Sequence, residues 1–202
     1  MRYKPIEEPK VCPAAKKKPE NIMKNEENTL QWFAMSAPYR RELKAQDFLT
    51  AKGVECFVAM KKAVIEKNGC KRHQTVPAIH NLIFVHTTKE RIQSIKQCCE
   101  YLQYMTRPVD GKNTPITIPE KEMQQFIAVT QARIDEITYL QPQELNLEKG
   151  TKVRIHGGPF DGTEGAFVKI KGKRNRRLVV LIEGLAAVAV NTEITPDLVE
   201  VL

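Results

Sequence analysis

Cationic side chains are concentrated in one short stretch near the C-terminus. Six of the nine residues from 169 to 177 are lysine or arginine, set around Gly172 and Asn175. They are Lys169, Lys171, Lys173, Arg174, Arg176 and Arg177. On a hairpin tip such a cluster can neutralise phosphate groups, which predicts contact with nucleic acid. The alternative is a solvated turn whose charges keep two apolar strands from aggregating.

Two smaller basic groups lie in the first half of the chain. Arg40, Arg41 and Lys44 share the polar face of a predicted helix, where they can bind phosphates in a salt-dependent way. A solvated helix face is an equally good interpretation. Lys71 and Arg72, on a polar turn after Asn68-Gly69, are a weaker candidate for the same role.

The sequence contains no recognisable catalytic constellation. Acidic residues and histidines are scattered, and neither a glycine-rich phosphate loop nor a nucleophile motif is present. The five cysteines are odd in number and dispersed, which predicts reduced thiols in a cytosol. Cys70 and His73, with Cys56 and His80, lack the second ligand pair of a zinc knuckle. We therefore predict a cytoplasmic protein that is not an enzyme and needs no metal or cofactor.

Composition sets further limits. A chain of 202 residues can form one or two domains with real cores, and 6% aromatic content makes those cores mainly aliphatic. Apolar runs stay well short of the ~20 residues of a membrane span, and the N-terminus does not resemble a secretory signal. The net charge of +8 is spread along the chain. This suits nucleic-acid contact but also occurs in proteins that never bind it.

The pattern of apolar residues and chain breakers predicts two domains. Residues 1–28, with four prolines and a Lys16–Lys18 run, are predicted to be a disordered or loosely held extension. Residues 29–137 form the first domain, 138–148 a linker and 149–202 the second domain. In the first domain we expect strands near 30–35, 54–60, 82–85 and 101–106, and a hairpin at Asn68-Gly69. Helices are predicted from Pro38 to about Lys52, behind a Thr87/Glu90 capping box, and after Pro119.

The second domain is predicted to be all strand. Alternating or apolar runs lie near 152–156, 163–171, 177–183, 186–190 and 198–201. Gly165 inside a strand predicts a bulge or a close backbone approach. The fold class is thus α+β, with a mainly antiparallel sheet covered by helices and a small β-domain behind it.

The segment VRIHGGPFDGTEGAFV, from Val153 to Val168, resembles the KOW motif of ribosomal proteins and NusG-type factors. The motif implies a small β-barrel over the last quarter of the chain. Trp32-Phe33-Ala34-Met35 and Asn81–Val85, followed by this motif, make residues 30–202 similar to the NusG family. Housekeeping members carry Pro-Gly-Tyr before the central Phe-Val, where this chain has His80-Asn81-Leu82-Ile83. This is closer to specialised paralogues of the RfaH kind, which carry an Asn there. The Lys/Pro-rich extension resembles UpxY-type antiterminators of capsular polysaccharide operons.

The resemblance implies a transcription elongation and antitermination factor that suppresses pausing or termination on specific operons. Its polymerase-binding patch would be Ser36, Leu82 and Phe84, placed on the clamp coiled coil. Strand alternation puts 82 and 84 on one face and 83 and 85 on the other; the resemblance favours 82 and 84 as the exposed pair.

The same resemblance suggests further partners. Non-template DNA or nascent RNA would meet the first helix, and the KOW domain would recruit a small-subunit ribosomal protein or Rho, with Phe160 on the loop facing it. A monomer without membrane contact is expected. The alternative is a KOW-type RNA-binding protein of the ribosome or its assembly, for which the Trp32 strand would have no use.

Overall fold

The structure is a computed structural model, and it describes residues 29–67, 70–132, 137–140, 151–157, 160–169, 176–182, 185–190 and 199–202. Three helices lie within this part of the chain: α1 (Glu42–Ala51), α2 (Lys89–Cys98) and α3 (Glu120–Ala132). The strands before α3 are β1 (Gln31–Ser36), β2 (Glu55–Phe57), β3 (Met60–Lys67), β4 (Cys70–Pro77), β5 (Leu82–Thr87), β6 (Gln103–Tyr104), β7 (Thr106–Val109), β8 (Lys112–Pro115) and β9 (Thr117–Ile118). Those after it are β10 (Ile137–Leu140), β11 (Thr151–Ile155), β12 (Glu164–Lys169), β13 (Arg176–Ile182), β14 (Ala186–Val190) and β15 (Val199–Val201).

The first sheet is antiparallel, as predicted. Its order is β2-β5-β1-β6, with β9 also paired to β1. The strands β1 and β5 at its centre pair over their full length, from Gln31↔Thr87 to Ser36↔Leu82. Two separate hairpins, β3–β4 and β7–β8, extend from it.

Both faces of this sheet are covered, which corrects one expectation. Ile83 and Val85 are buried in a core with α1 and α2. Leu82 and Phe84, predicted to be exposed, are only 5% and 0% exposed. They belong to an apolar cluster that includes Met123 and Phe126 of α3, and the Phe126 ring contacts Phe84 directly. Sequence alternation separated the two faces correctly, but it could not reveal that a second layer covers the other face.

The first helix begins later than predicted. Tyr39 and Arg40 have φ values of 61° and 56°, so the chain makes a left-handed excursion before α1 starts at Glu42. Arg40 and Arg41 therefore precede the helix, and only Lys44 lies within it. The cap of α2 is also shifted by one residue. Its N-cap is Thr88, whose side chain accepts from the Arg91 amide, while Thr87 is buried at the end of β5.

The second sheet has the order β10-β14-β13-β12-β11-β15. All five strands expected after residue 149 are present within it. The sixth, β10, pairs with β14 from Ile137↔Val190 to Leu140↔Ala187, so the first residues of the predicted linker belong to this sheet. Pairing among the described residues runs in an open order, and a closed barrel is not shown. The domain boundaries remain predictions, and residues 1–28 and 141–150 lie outside the described part.

Close strand packing explains one glycine of the KOW-like segment. A Cβ at Gly165 would lie 2.7 Å from the Val179 carbonyl oxygen and 2.8 Å from Leu178 Cδ1. Only glycine fits this approach of β12 to β13, as the sequence predicted.

Helix α3 joins the two sheets. It contacts β1 on one side and β13 and β14 on the other. Its buried Phe126 belongs to the same apolar cluster as Phe84 in the first sheet and Leu178 and Val180 in the second. The apolar core is therefore continuous from sheet to sheet. Within the described residues, no helix combines the length and apolar character needed to cross a bilayer.

Candidate interaction surfaces

The three residues predicted to bind polymerase form one row on the sheet. Ser36 and Leu82 are direct cross-strand partners, and Phe84 pairs with Ala34 two positions along the same face. Phe84 makes an edge contact with Phe126 of α3, at a centroid distance of 5.9 Å, and Phe126 makes another with Phe57 at 6.4 Å. Ser36, at the end of the row, is partly exposed. The row is thus contiguous, with Phe84 beneath α3 and Ser36 at its accessible end.

An ionic network lies at the edge of this covered region. Lys121 of α3 donates to both Glu164 carboxylate oxygens at 2.8 Å, and Arg154 donates to one of them at 2.8 Å. Arg154 also lies 3.5 Å from Glu200, which contacts His156 at 2.8 Å. The hydrogen bonds from Lys121 and Arg154 lower the pKa of Glu164. Because these side chains are solvent-accessible, the network orients α3 against β12 more than it stabilises the fold.

A polar contact also joins the second sheet to the β3–β4 hairpin. The Tyr139 hydroxyl, on β10, donates to the Met60 carbonyl oxygen at 3.1 Å. Burial raises the pKa of Tyr139 to about 12, which favours the protonated hydroxyl that donates this bond. The bond ties the second sheet to the base of the β3–β4 hairpin.

Trp32, one of the residues that carry the family resemblance, is part of the structural support. Its ring stacks on His86 at 4.8 Å with an interplanar angle of 9°. The His86 ring nitrogens face two carboxylates, Glu55 at 2.8 Å and Glu120 at 3.4 Å. The Trp32–His86 pair thus connects β1 and β5 to β2 and to the first turn of α3.

The basic group before α1 contains aromatic residues that the sequence analysis missed. The Arg41 guanidinium carbon lies 5.6 Å from the Tyr39 ring centroid and 5.5 Å from that of Tyr101. Lys44 Nζ lies 5.7 Å from the Tyr101 ring. The Tyr39 side chain is 85% exposed. The interleaving of Tyr39 with Arg40 and Arg41 was the available signal, since exposed aromatic rings among cations favour nucleobase stacking.

The backbone holds this group in an unusual conformation. The Arg40 amide donates to Asn81 Oδ1 at 3.0 Å, and the Ala37 amide donates to the Asn81 carbonyl oxygen at 2.9 Å. Non-glycine residues rarely adopt positive φ without such support, and supported strain is concentrated at functional sites.

Burial raises the pKa of Tyr101 to about 12, and the hydrogen bond to Cys99 acts in the same direction.

The two remaining predicted surfaces have different outcomes. Lys71 and Arg72 are exposed on β4 rather than on a turn. Phe160, expected at a loop tip, is 5% exposed and packs into the apolar cluster with Ile155 and Leu178, which corrects its assignment as a surface contact. A short loop buries its largest apolar side chain when the neighbouring sheets leave space for it.

The basic cluster at 169–177 is only partly described. Arg176 and Arg177 begin β13, where Arg177 is half-buried. Lys171, Lys173 and Arg174 lie outside the described residues. Among the residues the structure describes, no group of three or more His, Cys, Asp or Glu side chains is placed to hold a metal ion.

Comparison with family models gives a match in the N-terminal part of the chain. Residues 30–127 match the NusG family model, described as "Transcription termination factor nusG". The match covers 98 of the 202 residues, just under half of the chain, and lies within the first predicted domain.

Among solved structures, one match is a chain titled "Domain interaction in Thermotoga maritima NusG". It is 17% identical in sequence, with a TM-score of 0.42, and the alignment covers 86% of this chain and 98% of that one. A search of curated proteins gives no match.

Proposed function

We propose that this protein is a cytoplasmic transcription elongation and antitermination factor that binds RNA polymerase through the Ser36, Leu82 and Phe84 row. The observation that carries the proposal is the position of this row inside the segment that matches the NusG family model. An apolar row on two adjacent strands can receive a helical partner such as the clamp coiled coil. No chemical step is needed, because a factor that binds one clamp conformation better than another shifts their populations.

The covering helix makes this binding conditional. Leu82 and Phe84 can meet a partner only when α3 moves away from Phe84. The measured affinity is then the affinity of the open form multiplied by the fraction of molecules that are open. Contacts that hold α3 closed, including Phe126 and the Lys121–Glu164 pair, would therefore weaken polymerase binding by the free chain.

Nucleic acid is the second proposed partner of the first domain. Arg40, Arg41 and Lys44, with Tyr39 exposed beside them, can combine phosphate contacts with base stacking on unpaired non-template DNA or nascent RNA. Recognition of such a strand would restrict the factor to particular operons. We propose capsular polysaccharide loci as these operons.

The second domain is proposed to tether another protein, a small-subunit ribosomal protein or Rho, through the 169–177 cluster. A tether of this kind raises the effective concentration of its partner at the polymerase.

Charge placed on the exposed end of the row tests polymerase binding. Ser36→Arg should abolish retention of the folded chain on the host polymerase, because the guanidinium would lose its water at an apolar interface. Gln31→Arg is the matched control, since Gln31 is also partly exposed on β1 but belongs to the opposite face. Equal retention of the two variants would remove this row from the interface. Binding to ribosomal subunits, with none to polymerase, would favour the ribosomal alternative.

A further inference from the structure

The β3–β4 hairpin is a free-standing two-stranded ribbon. Each strand has eight residues, and they pair in full register from Met60↔Pro77 to Lys67↔Cys70. Within the described residues, neither strand pairs with any other. At about 3.4 Å per residue the ribbon extends roughly 27 Å from the domain. The side chains of residues 61–66 and 70–75 are exposed, apart from the half-exposed Ala63.

Positive charge lies on both faces of the ribbon. Strand alternation and the pairing register place Lys61 and Arg72 on one face and Lys62 and Lys71 on the other. Glu66 is the one acidic residue in the two strand sequences. A ribbon that is cationic on both sides can meet two rows of phosphates at once, one on each side.

Each face also exposes one β-branched apolar side chain. Val64 is 57% exposed and pairs with His73, while Ile65 is 38% exposed and pairs with Arg72. Exposed apolar side chains surrounded by cations fit a partner with an apolar floor and charged walls. Such a partner is the major groove of DNA, where thymine methyl groups lie between two phosphate backbones.

The dimensions and the composition favour duplex DNA over other nucleic acids. The major groove is about 12 Å wide and about 8.5 Å deep and admits a two-stranded β-ribbon. The narrow, deep groove of duplex RNA does not admit one. Single strands are bound mainly by stacking on aromatic rings, and the two strand sequences contain no Phe, Tyr or Trp.

We infer that the β3–β4 ribbon binds duplex DNA by entering its major groove, separately from the single-strand contact proposed for Tyr39 and Arg41. The inference rests on the proposed function, since a factor bound to a transcribing polymerase lies close to duplex DNA. It assigns Lys62, Lys71 and Arg72 to the phosphates and Val64 and Ile65 to the groove floor.

The first test measures the affinity of the full chain for a 20-base-pair duplex by fluorescence anisotropy across a salt series. Lys71→Gln/Arg72→Gln should weaken binding about tenfold and reduce the slope of log affinity against log salt by about 1 to 2. Arg107→Gln/Lys112→Gln is the matched control, because it removes the same charge from the exposed β7–β8 hairpin. If both double variants lose the same affinity, only net charge matters and the ribbon has no specific role.

The second test locates the groove. A duplex whose major groove is filled by glucosylated 5-hydroxymethylcytosine should bind at least tenfold more weakly than its unmodified counterpart. The minor-groove ligand netropsin should leave binding unchanged. The inference would be overturned by unaltered affinity for the filled groove or by displacement of the protein by netropsin. It would also be overturned if Lys71→Gln/Arg72→Gln weakened binding to single-stranded DNA as much as binding to the duplex.

A third variant tests the groove floor. Val64→Thr/Ile65→Thr keeps β-branched side chains, and so the strands, while adding hydroxyl groups. Wild type should prefer a thymine-containing duplex over its uracil counterpart severalfold, and the variant should lose that preference. A preference that survives in the variant would contradict the contact.

Retention on polymerase separates this inference from the proposed function. The Lys71→Gln/Arg72→Gln variant should be retained as well as wild type, since neither residue belongs to the Ser36, Leu82 and Phe84 row. A wild-type chain that binds polymerase but shows no ribbon-dependent duplex binding refutes the inference alone. Ribbon-dependent duplex binding without polymerase retention refutes the proposed function alone.

Discussion

Truncation of Phe126 should increase polymerase binding while it destabilises the protein. Phe126 is fully buried in α3 and makes edge contacts with Phe84 and Phe57. Phe126→Ala removes these contacts and leaves a cavity, which should lower the free energy of unfolding by about 3–5 kcal/mol. That cost applies to the closed arrangement, in which α3 covers Phe84, and not to an open one.

The size of the effect follows from the closed-to-open equilibrium. Because each ~1.4 kcal/mol changes an equilibrium constant tenfold, the ratio of open to closed molecules should rise by about a hundredfold to a few thousandfold. Apparent affinity rises by the same factor until the open form predominates. We therefore expect Phe126→Ala to bind polymerase core at least about tenfold more tightly than wild type in an equilibrium titration.

The control is a variant that is also destabilised but in which α3 still covers Phe84. Leu49 is fully buried in the core on the other face of the sheet, with Ile83 and Val85. Leu49→Ala should lower the free energy of unfolding, measured with urea, by about 2–5 kcal/mol, yet it should leave the affinity for polymerase unchanged. The reasoning is refuted if folded Phe126→Ala binds no more tightly than wild type, or if Leu49→Ala gains as much.

Three further predictions concern stability. Glu164→Gln should lower the melting temperature at neutral pH. Because the pKa of Glu164 is lowered in the folded state, its contribution to stability is fully present above the ordinary carboxyl pKa. That contribution is lost as the pH falls through the lowered pKa. The difference in melting temperature between wild type and variant should therefore shrink on acidification, and one that is constant with pH would contradict the Lys121 and Arg154 contacts. Gly165→Ala should destabilise the second sheet by at least about 1–3 kcal/mol in urea unfolding, because the new methyl group overlaps β13; a stability equal to that of wild type would contradict the close approach. Thr88→Ala should lower the free energy of unfolding by about 1 kcal/mol, because the α2 N-cap is lost. Thr87→Ser changes the residue that was predicted to be the cap, and it should leave the Thr88 cap bond intact.

The repeating elements could be predicted from the sequence because they depend on local periodicity. The five strands after residue 149, the central strand at Leu82 and the helix after Pro119 all follow from apolar spacing and chain breakers. The α2 cap was misplaced by one residue because Thr87 and Thr88 are chemically equivalent, and only burial of Thr87 in the sheet decides between them.

The arrangement of the candidate sites could be predicted only in part. Ser36, Leu82 and Phe84 fall on one face by strand alternation, but their cover arises from α3, far along the chain. The positive φ at Tyr39 and Arg40 depends on a hydrogen bond to Asn81, a residue 41 positions away from Arg40. Phe160 was expected at the surface because the loop sequence alone does not show which apolar cluster lies beneath it.

The most direct measurement is read-through by the host polymerase in a reconstituted elongation assay, with and without this protein. Templates should carry or lack the leader of the protein's own operon. We expect longer transcripts when the protein is added, with the larger effect on the leader template, and loss of both effects in Ser36→Arg. Unchanged pausing and termination on both templates, with no retention of the protein on polymerase, would contradict this expectation.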